Sequence, residues 1–259
     1  MSFKAGGSIF AIECDVVREV ILFDTAHQVA GTPAHVRGVA NVRGSLIQLV
    51  DMDLLLGLPS YRVKHDAMLR EFQARRADHL RWLAELRSSV VESRSFTLTT
   101  DPTKCAFGRW YGAYQAPDPV LALKLAAFDA PHRKIHAVGA DAVALVAAGR
   151  EGEAMALIER ASERELARLL ELFDETTPLL HKLAREVVVI VTRGTHTVGL
   201  VVEDVCDLLT LSEADLEEIE RSAADLTPLG SALLFGVRHL AGEAVMLLSA
   251  ERIFEQLVQ

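Results

Sequence analysis

The spacing of apolar residues changes period twice along the chain, and this constrains the fold more than any single residue does. Residues 8–58 read as short apolar runs broken by turns, Ile9–Ile12, Val16–Leu22, Val36–Val42 and Leu46–Val50, which is the pattern of strands. From about Arg62, apolar residues recur three and four apart: Leu69, Phe72, Leu80, Leu83 and Leu86, then Leu121, Leu125 and Phe128, then Leu157, Leu166, Leu169 and Leu170. That period is helical. At Val187 the strand pattern returns, with Val187–Thr192 and Val198–Val202 around Gly194-Thr195, then Ala232–Val237 and Ala244–Leu248 around Ala241-Gly242. The expected fold is α+β: two small β-barrel subdomains split by an inserted α-helical bundle, with boundaries at 1–61, 62–183 and 184–259.

The two β regions repeat one another. Gly44–Leu55 (turn, apolar strand, acidic cap, short helix) has a counterpart in Gly242–Phe254, where Ser249 stands at the cap, and Ile9–Val20 parallels Thr197–Leu208. An insertion at the junction of two such subdomains would leave both sets of strand pairings intact. Arg43-Gly44 supplies the positive φ of a tight hairpin. Leu54-Leu55-Leu56 reads as a short helix that Gly57 and Pro59 can end.

With 259 residues, half of them apolar, the chain can bury a sizeable core. A formal charge of −9, with no arginine or lysine stripe, excludes nucleic acid and acidic lipid surfaces as partners. Met1–Gly7 lacks the apolar core of a signal peptide, and no apolar run reaches the ~18 residues of a membrane span, so a cytoplasmic protein without membrane insertion is expected. Cys14, Cys105 and Cys206 are too few and too scattered for a disulfide framework.

Four residues stand out as a possible metal set. His132 and His136 lie four apart on a helix starting near Pro131, so both imidazoles leave one face and could chelate. Cys105 sits in the aromatic and glycine-containing segment Cys105–Tyr111, and His79 lies three residues before Trp82 on the first long helix. Taken singly, each fits a structural role: a helix-face pair, a buried thiol, a core histidine beside a packing tryptophan. Together, three imidazoles and one thiolate match the count and softness of a closed tetrahedral zinc site. Arg133 stands where a zincin would need its glutamate base, and no nucleophile set or phosphate-cradling loop is recognisable. A zinc-dependent hydrolase, which would keep a water-filled ligand position, is therefore the weaker alternative, and a non-enzymatic protein is expected.

The segments His79-Leu80-Arg81-Trp82, Cys105-Ala106-Phe107-Gly108-Arg109-Trp110-Tyr111 and His132-Arg133-Lys134-Ile135-His136 resemble the three motifs of the chemoreceptor zinc-binding (CZB) domain. The resemblance implies a small four-helix bundle, one zinc per chain held by His79, Cys105, His132 and His136, and Trp82 and Trp110 as packing residues. It also implies zinc or oxidant sensing, and a homodimer formed through the helical insertion. A zinc that merely staples the bundle together is the simpler alternative.

The flanking sequence carries a second resemblance, to the CheW domain, the chemotaxis coupling fold. Its first half lies in Phe10–Val20, Arg37–Gly44 and Leu46–Asp51, and its second in Val198–Val205 and Ala244–Leu248. This implies an adaptor that couples the cytoplasmic domain of chemoreceptors to a histidine kinase, with Arg43, beside Gly44, at a receptor-contact position. Arg43 fits a plain hairpin turn equally well. Two departures are visible: little strand-like sequence precedes Ile9, so the first strand is expected to be short or absent and one barrel edge unpaired, and Ser249 stands where the family often has aspartate.

Overall fold

The computed structural model describes residues 1–23, 25–116, 118–211, 226–240 and 242–257. They divide into two compact units, Met1–His65 with Ala184–Gln259, and Asp66–Leu183.

In the first unit the strands are β1 (Ser2–Ala5), β2 (Ser8–Ala11), β3 (Val17–Leu22), β4 (Val36–Val42), β5 (Ser45–Asp51), β6 (Val187–Arg193), β7 (His196–Val202), β8 (Asp204–Val205), β9 (Leu234–Leu240) and β10 (Glu243–Leu248). They form two five-stranded sheets, β8-β1-β2-β10-β9 and β3-β6-β7-β5-β4. The two orders are the same pattern: a strand, an antiparallel hairpin, a parallel step and a second hairpin. The parallel steps are β5–β7, with Gln48 opposite Val198 and Asp51 opposite Val201, and β2–β10, with Ile9 opposite Val245. The repeats seen in sequence are thus the same part of each sheet, since β2–β3 corresponds to β7–β8, and β4–β5 to β9–β10.

Each sheet takes strands from both sides of the insertion, so neither chain half makes a subdomain alone. The insertion falls between β5 and β6, both in the second sheet, and not at a junction between the sheets. It is tolerated because β5 pairs with β7 through space, a contact that does not depend on what connects them. One core lies between the sheets, with Phe3, Phe10 and Leu248 from the first meeting Val50, Val189 and Leu200 from the second. The outer faces are also packed, by Ala11, Val245 and Leu247 on one sheet and Leu49, Val188 and Ile190 on the other. Burial on both faces explains why Val187–Val191 reads as an unbroken apolar run.

Several sequence expectations need correction. The strand before Ile9 is short, as one of the two expectations had it, but it leaves no open edge: Phe3 and Ala5 are fully buried, and the four-residue β1 sits between β8 and β2. Four residues with Lys4 exposed are too few for a visible period. Ala232 and Leu233 belong to helix α8 (Pro228–Leu233), which Thr227 caps by accepting from Gly230 N, so that strand starts at Leu234. Val16 ends a short 3-10 turn, Leu80 faces solvent, and Ala241 of the Ala241-Gly242 turn lies outside the described residues.

Short helices close the parallel strands. In α1 (Met52–Leu56) Asp51 accepts from Leu54 N at 3.1 Å, and Gly57 ends the helix at φ 78°. In α9 (Ala250–Leu257) Ser249 accepts from Arg252 N at 3.4 Å, so serine fills the role that Asp51 has in the other repeat. Arg43 and Gly44 form the β4–β5 turn with φ 51° and 89°, and Asn41 Oδ1 accepts from Gly44 N at 2.8 Å. The Arg43 side chain is 81% exposed and its guanidinium pairs with Glu19.

The second unit holds α2 (Tyr61–Val91, whose first turn belongs to the first unit), α3 (Ala106–Ala113), α4 (Pro119–Ala126), α5 (Asp129–Ala147), α6 (Glu151–Ala161) and α7 (Ala167–Leu183). A π-helical turn, Ser162–Leu166, joins α6 to α7 without a break. The unit is therefore three long helical rods with α3 and α4 packed into the same core, where four helices were expected. No helix among the described residues is long and apolar enough to cross a membrane.

A buried ion trio ties β4, β5 and the start of β6 together. Arg37 donates to Asp51 at 2.7 Å and to Glu186 at 2.6 Å, and the three side chains are 11%, 4% and 8% exposed. The guanidinium also lies 5.1 Å from the Phe23 ring centroid. Arg37→Met strands two buried carboxylates and is expected to cost about 3–5 kcal/mol in urea unfolding. Arg43→Ala, at an exposed pair, should cost less than about 1 kcal/mol.

Candidate metal centre

The four residues singled out in sequence come together in the helical unit. His79 stands on α2, Cys105 at the N-cap of α3, and His132 and His136 one turn apart on α5. One candidate ligand atom from each lies within 4.8 Å of the others, and the three histidines are buried. Ligands of a tetrahedral zinc, with bonds of about 2.0–2.3 Å, stand about 3.3–3.8 Å apart. Closing this cluster on an ion takes a contraction of about 1 Å at its widest.

Each side chain is aimed by its own local structure. His79 Nδ1 is 2.7 Å from the Arg75 carbonyl one turn earlier, which leaves Nε2 as the inward atom. That Nε2 is buried and has no hydrogen-bond partner among the described residues, and neither has His136 Nδ1. Orphaned buried nitrogens cost free energy unless something binds them, and a metal ion is the ligand these donors suit. His132 Nε2 is 3.2 Å from Cys105 Sγ.

Cys105 is fixed through Gly108, whose N–H donates to Sγ at 3.1 Å. A Cβ at position 108 would fall 1.8 Å from the Pro102 carbonyl oxygen, so only glycine lets the turn before α3 fold against the helix. Trp82 holds the preceding loop by donating from Nε1 to Thr99 O at 2.9 Å, and its ring packs 4.8 Å from that of His136. Trp110 packs on Phe72 and stacks on Tyr114. Phe107 covers His132 and His79, at 4.8 and 5.4 Å between ring centroids.

This largely buried, histidine-rich setting fixes the protonation states. Burial, then the charges of neighbouring imidazoles, pushes His132 down to about 3, and burial and His79 push His136 down to about 4. His79 is lowered by burial as well. All three are neutral at neutral pH, the form in which imidazole ligates metal. Burial pushes the Cys105 thiol up, against N–H donation from Gly108 and Phe107 and the charges of Arg109 and Arg75. A divalent cation would displace that proton and take a thiolate.

Comparison with known families follows this division of the chain. A model of the CheW-like domain matches residues 1–73 and 164–258. The chain belongs to the CheW-like family. A model of the chemoreceptor zinc-binding domain matches residues 79–143, inside the interruption and spanning all four clustered residues. Among solved structures, the scaffolding protein TtCheW from Thermoanaerobacter tengcongensis is 10% identical, with a TM-score of 0.43 over 96% of this chain and 82% of that one. A comparison with curated proteins finds no match.

Sequence reasoning missed the loop that seats Cys105. Its signal was present, because Asp101-Pro102-Thr103 is a turn in which Asp101 accepts from Thr103 N at 2.9 Å. The Arg37–Asp51–Glu186 trio had no readable signal, since its members are far apart in the chain.

Three outcomes are expected. Metal analysis of purified protein should give one zinc per chain, and His79→Ala should abolish stoichiometric loading. Gly108→Ala should weaken zinc binding by at least tenfold while leaving all four side chains in place, read by competition with a zinc indicator. In metal-free protein the three histidines have folded pKa values below the unfolded value, so their stabilising contribution is complete above about pH 6.5 and lost as pH falls through the folded values of about 4 for His136 and about 3 for His132. A pH series of thermal melts should fall on the acid side accordingly, and zinc affinity should fall with it.

Proposed function

We propose that this protein is a cytoplasmic chemotaxis adaptor that couples the cytoplasmic domain of chemoreceptors to a histidine kinase. In this reading the inserted domain runs from residue 62 to 183, and its His79, Cys105, His132 and His136 hold one zinc ion. The observation that carries it is the pairing of a CheW-like match on both sides of the interruption with a zinc-binding match inside it. The four converging ligand atoms support the metal half independently of any family. Four protein ligands fill a tetrahedral zinc and leave no position for substrate or water, which favours a binding role over hydrolysis.

The ends of the insertion support a regulatory use of zinc. Asp53 Oδ2 accepts from Tyr61 N at 2.6 Å where α2 begins, while Oδ1 accepts from Gly6 N at 2.8 Å in the β1–β2 turn. Just before β6, Glu186 is held by Arg37. Both covalent connections are thus anchored by charged side chains to the strands of the CheW-like domain. A metal-dependent shift at either end would be felt by those strands, and the shift would have to distinguish two states of the domain to act as a signal.

Capture on chemoreceptor cytoplasmic fragments and on the histidine kinase, with zinc-loaded and zinc-stripped protein, tests both halves. Binding to at least one partner is expected, with affinity changing at least threefold between metal states. Failure to bind either partner by a folded protein sinks the adaptor reading. Equal affinities across a full change in occupancy leave the zinc as a structural staple. Arg43→Ala should weaken receptor capture without altering stability if that arginine serves contact and not only the turn.

A further inference from the structure

The cavity beside the metal centre carries a charge opposite to that of the chain as a whole. It offers about 390 Å³, and His79, Cys105 and His136 form part of its wall. Its lining includes three exposed cations, Arg81, Lys104 and Arg109, against one carboxylate, Asp78. The formal charge of the chain is −9, so a lining of excess positive charge is a local exception.

The pairing of these cations leaves that excess in place. Asp78 is shared between Arg81 and Arg75. Lys104 meets Asp101 at 3.2 Å with its side chain still 75% exposed. Arg109 donates to the Lys104 carbonyl, a neutral group, and has no ion pair among the described residues. Within a Debye length of about 8 Å such a rim raises the local concentration of anions and lowers that of free dications. A hydrated zinc ion is therefore repelled from the mouth of a site whose donors suit zinc, whereas an anion that carries or extracts the ion is drawn to it.

We propose that this cavity is an anion-selective entrance, through which small anionic chelators or thiols, attracted by Arg81, Lys104 and Arg109, load and unload the metal centre. Each exchange trades one protein–metal bond for one chelator–metal bond. No electron moves, and a released Cys105 thiolate takes its proton from solvent. The exchange half rests on the zinc reading above; the anion-selective entrance does not.

Two measurements on the full chain keep those apart. In metal-free protein, alkylation of Cys105 by iodoacetate and by iodoacetamide is followed by peptide-resolved mass spectrometry. The ratio of the two rates cancels the thiolate fraction and reports access by charge alone. At low salt, the triple variant Arg81→Gln, Lys104→Gln, Arg109→Gln should lower that ratio on the order of tenfold, and most of the difference should vanish at high salt. In zinc-loaded protein, metal loss to dipicolinate, an anion, should rise with its concentration and slow by a similar factor in the variant, while loss to neutral phenanthroline stays unchanged. An alkylation ratio equal in wild type and variant overturns the entrance. A zinc-loss rate indifferent to chelator charge and concentration overturns the exchange role. Failure to load zinc at all counts against the metal reading and leaves the alkylation result standing.

Discussion

The parallel pairing of β5 with β7 is the contact on which the rest of the structure depends. It joins residues 48–51 to 198–201 across the whole insertion, and it can form only if the interruption returns the chain close to where it left. Closing a longer loop costs little more entropy than closing a shorter one, because the cost grows with the logarithm of length. What it requires is an insertion that folds and has adjacent ends. The helical unit meets the first requirement with its own core around Phe72, Phe128 and Phe173. The Asp53–Tyr61 and Arg37–Glu186 contacts meet the second.

The same contacts account for the charged residues in an otherwise apolar centre. A carboxylate as buried as Asp51 or Glu186 is costly without a partner. Arg37 satisfies both at once with a planar fork, which a lysine could not do. The trio therefore fixes which three strand ends meet, a role apolar residues could not perform with equal specificity. In the helical unit, burial strips the histidines of protons and leaves two ring nitrogens unsatisfied. Such a cluster is poor as a metal-free core and suited to an ion, so binding an ion there and packing the unit would belong to one energetic account.

The four candidate ligands were legible in sequence mainly through their resemblance to the three CZB motifs, since only the His132–His136 pair, one helical turn apart, is marked by local geometry; that Cys105 is the N-cap of α3 was not legible. The strand runs, the helical middle and the repeat between Gly44–Leu55 and Gly242–Phe254 were legible because period and capping are properties of neighbouring residues. Ser2–Ala5 escaped because four residues carry no period, and Pro228–Leu233 because its capping Thr-Pro was passed over in favour of an apolar run.

What the sequence determined by itself was therefore local: which stretches are strands or helices, where turns fall, and which side chains could share a metal. Tertiary structure alone decided that each sheet draws strands from both sides of the insertion, and that β1 lies inside its sheet. It also decided that Arg37 meets two carboxylates distant in the chain, and that Arg81 joins Lys104 and Arg109 at one cavity. These are long-range pairings, set by packing and by the cost of burying charge alone, and no window of neighbouring residues contains them.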